Sequence, residues 1–241
     1  MKLLQAITVL FFLLSTTLVA AQWGKSKKIK GDGNITTTTV TTASYDVIST
    51  AGAMDFRLVN GKEGDITIKA DSNLIPYIIT EVKENALVVK TKKGYNLKPT
   101  ETIVITIPYE SISALTLAGS GDVENSGTIK ADHFKVALAG SGDIDLQIAS
   151  ESIESSIAGS GDIELKGSTK NLITVVAGSG DFDGEHLKSI NVDAKISGSG
   201  DINVVCNGEL KVKIAGSGDV KYSGQPTKKD TKISGSGSVS N

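Results

Sequence analysis

The sequence predicts an all-β solenoid with rungs of about 19 residues, from three observations. A glycine-rich tetrapeptide recurs, GSGD six times and GSGS once at the end. Its first glycines are Gly119, Gly140, Gly159, Gly178, Gly198, Gly216 and Gly235, at intervals of 21, 19, 19, 20, 18 and 19 residues, close to one solenoid coil. Aliphatic columns keep fixed offsets from that glycine, and almost no segment has helical period.

The elements follow in chain order. Residues 1–21, "MKLLQAITVLFFLLSTTLVAA", carry one lysine, an apolar run from Leu3 to Leu14 and small residues before the end. They read as a secretory signal peptide cleaved after Ala21, because the unbroken apolar run is shorter than the ~20 residues of a membrane span. The expected location is therefore exported: periplasm, outer surface or secreted. Removing 21 of 241 residues leaves 220, enough for a substantial core. Residues 22–34 are basic and poor in aliphatics and read as a flexible N-terminus.

From Ile35 to about Glu110 the chain gives short alternating segments such as "DITIKA" and "TIVITI", with a hairpin expected around Lys83 to Asn85. The threonine-rich run 35–44 reads as a plain strand, on β-propensity, rather than an adhesive face. "TAGAMDF", Thr50 to Phe56, resembles a degenerate motif copy with Met54 in place of the second glycine, which hints at an earlier rung.

Residues 111–241 form the repeat array. Two residues before the first glycine stand Leu117, Leu138, Ile157, Val176, Ile196, Ile214 and Ile233; just after the motif stand Val123, Ile144, Ile163, Phe182, Ile202, Val220 and Val239. Six residues before it, Phe134, Ile153, Leu172, Val192 and Leu210 are flanked at the array's ends by Ser113 and Lys229. All three columns are an even number of residues apart, so in an extended chain they share one face and define the core. By the same parity both motif glycines point inward, as a pinch over a narrow core, and serine and aspartate point outward. Pro226, Lys228, Lys229 and Lys232 in the last rung read as guards of an open sheet edge, with Lys229 in the inward column.

These spaced "AGSGDI", "SGSGDI" and "AGSGDV" motifs, the "GDVKYSGQP" of Gly218 to Pro226 and the closing "ISGSGSV" resemble the family described as putative auto-transporter adhesin, head GIN domain. The resemblance covers residues 35–241. It implies a right-handed parallel β-helix in exported bacterial proteins with an adhesive role. The array stops at Asn241 within the seventh rung, with no stalk or barrel segment in the sequence.

Chemistry narrows the function classes. The formal charge of −2 and a single arginine, Arg57, give no basic field for nucleic acid. The only cysteine, Cys206, forms no internal disulfide and reads as a small buried hydrophobe. The motif aspartates Asp122, Asp143, Asp162, Asp181, Asp201 and Asp219 would stack ~4.8 Å apart. Two readings stand: a calcium ladder, or carboxylates that accept hydrogen bonds from their own corner's amides. One carboxylate per rung is far from the six to eight oxygens that calcium takes, which favours the cap.

His133 and His186 occupy no repeated position and have no nucleophile motif beside them. Trp23 and the five tyrosines are scattered rather than arrayed for sugar stacking. The expectation is a non-enzymatic, adhesin-like interaction or cell-envelope module without a cofactor, whose partner is a surface protein or glycan met on a flat face. The alternatives are a polysaccharide lyase-like enzyme on the same scaffold and a calcium-stabilised envelope structural protein.

Overall fold

The computed structural model describes residues 26–241. The expected signal peptide, 1–21, lies outside the described residues. Eight corner glycines stack in one column, Gly52, Gly119, Gly140, Gly159, Gly178, Gly198, Gly216 and Gly235, each in parallel register with the next. The architecture is the expected parallel β-solenoid. "TAGAMDF" is indeed a rung: Gly52 pairs with Gly119 and Phe56 with Val123.

The three sequence columns form the core. Leu117, Ile157, Ile163, Phe182, Leu172 and Leu210 are all 0–1% exposed. A further inward column escaped the sequence reading: Leu115, Val136, Ser155, Thr174, Ala194 and Val212, four residues before each glycine, are also buried. Its mixed composition hides it, because a methyl, a hydroxyl and an isopropyl group fit the same narrow space.

Unequal rung lengths are absorbed away from the glycine corner. The 20-residue interval from Gly178 to Gly198 holds register shifts, between Asp183 and Leu187 against the preceding rung and between Gly184 and Lys188 against the next, and His186 lies exposed within them. The corner itself keeps its register in every rung.

The N-terminal region runs out of sequence order. Strands Val47–Gly52 and Asp55–Asn60 are inserted between the array and a rung made by Ala86–Thr91 and Val104–Tyr109. Antiparallel strands then close the end. Ile78–Lys83 pairs with Ala86–Thr91 through the expected hairpin, where Glu84 and Asn85 take φ 49° and 63°. Ile35–Thr41 pairs with Asp65–Asp71, which pairs with Val104–Tyr109. These additions cover the parallel edge that a bare solenoid end would expose. Thr37 to Thr39 lie exposed on the outermost strand, consistent with high β-propensity there.

Part of the stretch read as a flexible terminus is ordered. Lys27–Lys30 is a strand parallel to Tyr95–Lys98. Buried Asp71 fastens it: Gly33 N donates to Oδ1 at 2.8 Å, while Thr100 donates through Oγ1 at 2.6 Å and N at 2.9 Å. The Thr100 hydroxyl, with the two amides, holds the Asp71 carboxyl below the usual carboxylate range. A basic composition concealed this, since the anchor lies 38 residues away in sequence.

Candidate functional site

The GSGD corner is a joint between rungs. A Cβ on Gly159 would lie 2.1 Å from Gly140 O, and one on Gly161 2.0 Å from Gly142 O. The same clash recurs up the column. The glycines are therefore required by contact with the backbone of the preceding rung rather than by a pinch over the core, which corrects the inward-pointing expectation. Gly159 also has φ 140°, in the region that favours glycine. The close approach lets Ser160 N and Gly161 N both donate to Gly140 O, at 2.8 and 3.1 Å.

The aspartate completes the joint. Asp162 N donates to Asp143 Oδ1 at 3.0 Å, Asp181 N to Asp162 Oδ1 at 2.7 Å, and Asp201 N to Asp181 Oδ1 at 2.7 Å. The ladder starts at Asp55, runs through Asp122 and ends at Asp219. Each carboxylate accepts from the next rung's amide and not from its own corner, a correction to the cap that the sequence suggested. The GSGS copy joins the ladder as a donor: Ser238 donates to Asp219 through N at 2.7 Å and Oγ at 2.9 Å.

Stacked carboxylates ~4.8 Å apart repel by only about 0.9 kcal/mol in water, a small cost for an exposed ladder. One oxygen of each is already engaged by an amide. Among the described residues, no group of three or more His, Cys, Asp or Glu side chains is arranged to hold a metal ion. His133 is in register with Ser152, and His186 lies in the bulge. Cys206 is buried, with its sulfur 3.4 Å from Ile190 O, and burial raises its thiol pKa.

Beyond the corner, the outer surface divides by chemistry. Next to the aspartates a second outward column carries Glu124, Asp145 and Glu164, partly neutralised by Arg57 on Glu124 at 2.9 Å and Lys166 on Asp145 at 2.9 Å. The sheet before the corner is different. Its outward positions are Ala118, Ala139, Ala158 and Ala177 in one column and Thr116, Ala137, Ser156 and Val175 in the next. The side chains are short and none is aromatic. Thr116, Ala137, Ser156 and Val175 floor a shallow concavity of about 530 Å³ edged by Lys135, Glu154 and Ile173, and the alanine column lies beside it.

A second trough, of about 760 Å³, crosses the third side over Ala149, Ser150, Ser168 and Thr169, with Lys130 and Lys188 at its ends. Its lysines and acids alternate, and Lys170 pairs with Glu151 at 2.7 Å. The tyrosines do not line either surface. Tyr45, Tyr109 and Tyr222 are buried, and Tyr77 packs against Tyr95 in the N-terminal cap.

The expected edge guard is more specific than its sequence suggests. Lys229 is in register with Leu210, but its ammonium donates to Tyr222 Oη at 2.9 Å and lies 5.3 Å from the ring centroid. It therefore has a partner, which lowers the Tyr222 pKa. The strand Lys228–Gly235 is exposed throughout, and Ile233 is 47% exposed.

Solved structures share this architecture. A putative adhesin from Bacteroides fragilis NCTC 9343 is 22% identical, with 88% of this chain and 99% of that one covered and a TM-score of 0.83. A protein described as a putative lipid binding protein, from Parabacteroides distasonis ATCC 8503, is 28% identical over 89% and 99%, with a TM-score of 0.75. A putative adhesin from Parabacteroides merdae ATCC 43184 is 22% identical over 89% and 98%, with a TM-score of 0.72. No curated protein is significantly similar to the chain. The stacked corners and their glycine spacing agree with a sequence-family match over residues 44–226, and the chain belongs to the family described as putative auto-transporter adhesin, head GIN domain.

Proposed function

We propose that the chain is an exported, non-enzymatic interaction module that meets a surface protein or glycan through the small-residue sheet preceding the glycine corner. The observation that carries this reading is that sheet itself: Ala118, Ala139, Ala158 and Ala177 are exposed, in register, and leave a surface without long side chains in the way. A partner can approach such a face closely without first ordering mobile side chains. The family's adhesin description supports an exported role. The carboxylate ladder, engaged with backbone amides, supports architecture over catalysis.

The test places bulk on the face without touching the core. An Ala139→Arg, Ala177→Arg variant should melt like the wild type, and beads coated with it should adhere to bacterial envelopes several-fold less than wild-type beads. Equal adherence of both, or adherence of neither, would remove the face from the account.

A further inference from the structure

The outward column that carries Thr116, Ala137, Ser156 and Val175 changes character in the last three rungs, where Lys195, Lys213 and Lys232 stand in register. Some outward lysines face carboxylates, as Lys135 does Glu154 at 3.0 Å and Lys170 does Glu151 at 2.7 Å. Here like charges stack. Lys195 reaches Asp193 at 3.1 Å, but Lys213 and Lys232 make no ion pair among the described residues. At the ~4.8 Å spacing of paired strands, the three lysines spring from backbone positions within about 10 Å of one another, in single file along the solenoid axis. They border a concavity of about 250 Å³ floored by Ala215 and Ser234.

We propose that this lysine file binds a linear polyanionic polysaccharide, sulfated or carboxylated, laid along the solenoid axis. The ligand would neutralise the stacked charges and continue over the small residues of the same column. A planar anionic surface fits less well. Asp193 and Asp230 flank the file on its own sheet, two positions before Lys195 and Lys232, with Lys211 in register between them and paired to Glu209, and both carboxylates would be pressed against lipid phosphates. A single chain can follow the file and avoid them. The assignment deepens the interaction reading above by naming its ligand class.

Dextran sulfate is the probe, measured by titration calorimetry on the protein at two salt concentrations. A Lys195→Gln, Lys213→Gln, Lys232→Gln variant should bind about tenfold more weakly, and wild-type affinity should fall as salt rises. A control with the same charge change at exposed sites, Lys62→Gln, Lys92→Gln, Lys130→Gln, should stay within about twofold of wild type. If the triple file variant melts early, Lys213→Gln alone is compared with Lys130→Gln. An equal loss in the control, no binding by wild type, or binding to phosphatidylglycerol vesicles but not to dextran sulfate would each overturn the proposal. If dextran sulfate fails while Ala139→Arg, Ala177→Arg still abolishes adherence, only the polyanion assignment falls.

Discussion

At Gly159, the distance of 2.1 Å from a notional Cβ to Gly140 O sets the scale of what one methyl group would do. Neither backbone can retreat, because each is fixed in register on both sides. Gly159→Ala should therefore destabilise by more than about 3 kcal/mol, combining a backbone clash with an unfavourable φ. Gly94 offers the contrast. It has φ 87° but nothing within 4 Å of a Cβ, so Gly94→Ala should lose only about 1 kcal/mol. Chemical denaturation of the two variants separates close approach from conformational strain; similar losses would refute the inter-rung contact.

The aspartates invite a parallel comparison. Asp162→Ala removes the acceptor of the Asp181 amide and should cost about 1 kcal/mol, whereas Asp162→Asn keeps an oxygen in place and should cost less. Melts of the wild type in chelator and in millimolar calcium should coincide. A rise of several degrees with calcium, abolished by Asp162→Asn, would restore the metal ladder.

At the scale of elements, the cap and the array differ in how legible they are. The array was readable because each rung repeats the same answer, so Leu117 and Ile157 confirm one another. The cap has no such redundancy: strand Lys27–Lys30 pairs with Tyr95–Lys98, and strand Val47–Gly52 is flanked by segments from both later regions. Nothing local in "KKIK" announces a partner so distant in the chain. The aspartates were found as a column, but their acceptor direction was not, because parity tells which face a side chain takes and not which rung it serves.

Asp71 links the cap to pH. Its carboxyl pKa is depressed in the folded state, so its stabilisation is present above the unfolded value of ~3.9 and is lost as pH falls through the folded value. Asp55 acts in the opposite sense, since burial raises its carboxyl pKa. Melting temperature should fall as pH drops below about 4, and Asp71→Asn should flatten that fall. Parallel curves for the two proteins would show that the latch is not the acid-sensitive contact.

Over the whole molecule, stability is a sum of rungs and their interfaces, because each rung touches mainly its neighbours. Residues 160–178 span one register-matched rung, since Gly159 pairs with Gly178 and Gly178 with Gly198. Deleting them should leave a folded, shorter solenoid with an unchanged strand signature in circular dichroism and a lower melting temperature. An unfolded product would mean that the array is not modular. The same arrangement explains how one molecule can change its outer surface from small residues to lysines without disturbing the core, since outward positions bear no packing duty.

Each motif aspartate ties its own rung to the next, and residue-resolved amide hydrogen exchange of Asp162→Ala reads that tie at a single bond. The variant should lose protection at the Asp181 amide, one rung away, with the amides of Ser160 and Gly161 still protected by Gly140 O. Lost protection confined to residues 160–163, with the Asp181 amide unchanged, would show that the carboxylate caps its own corner and would contradict the ladder.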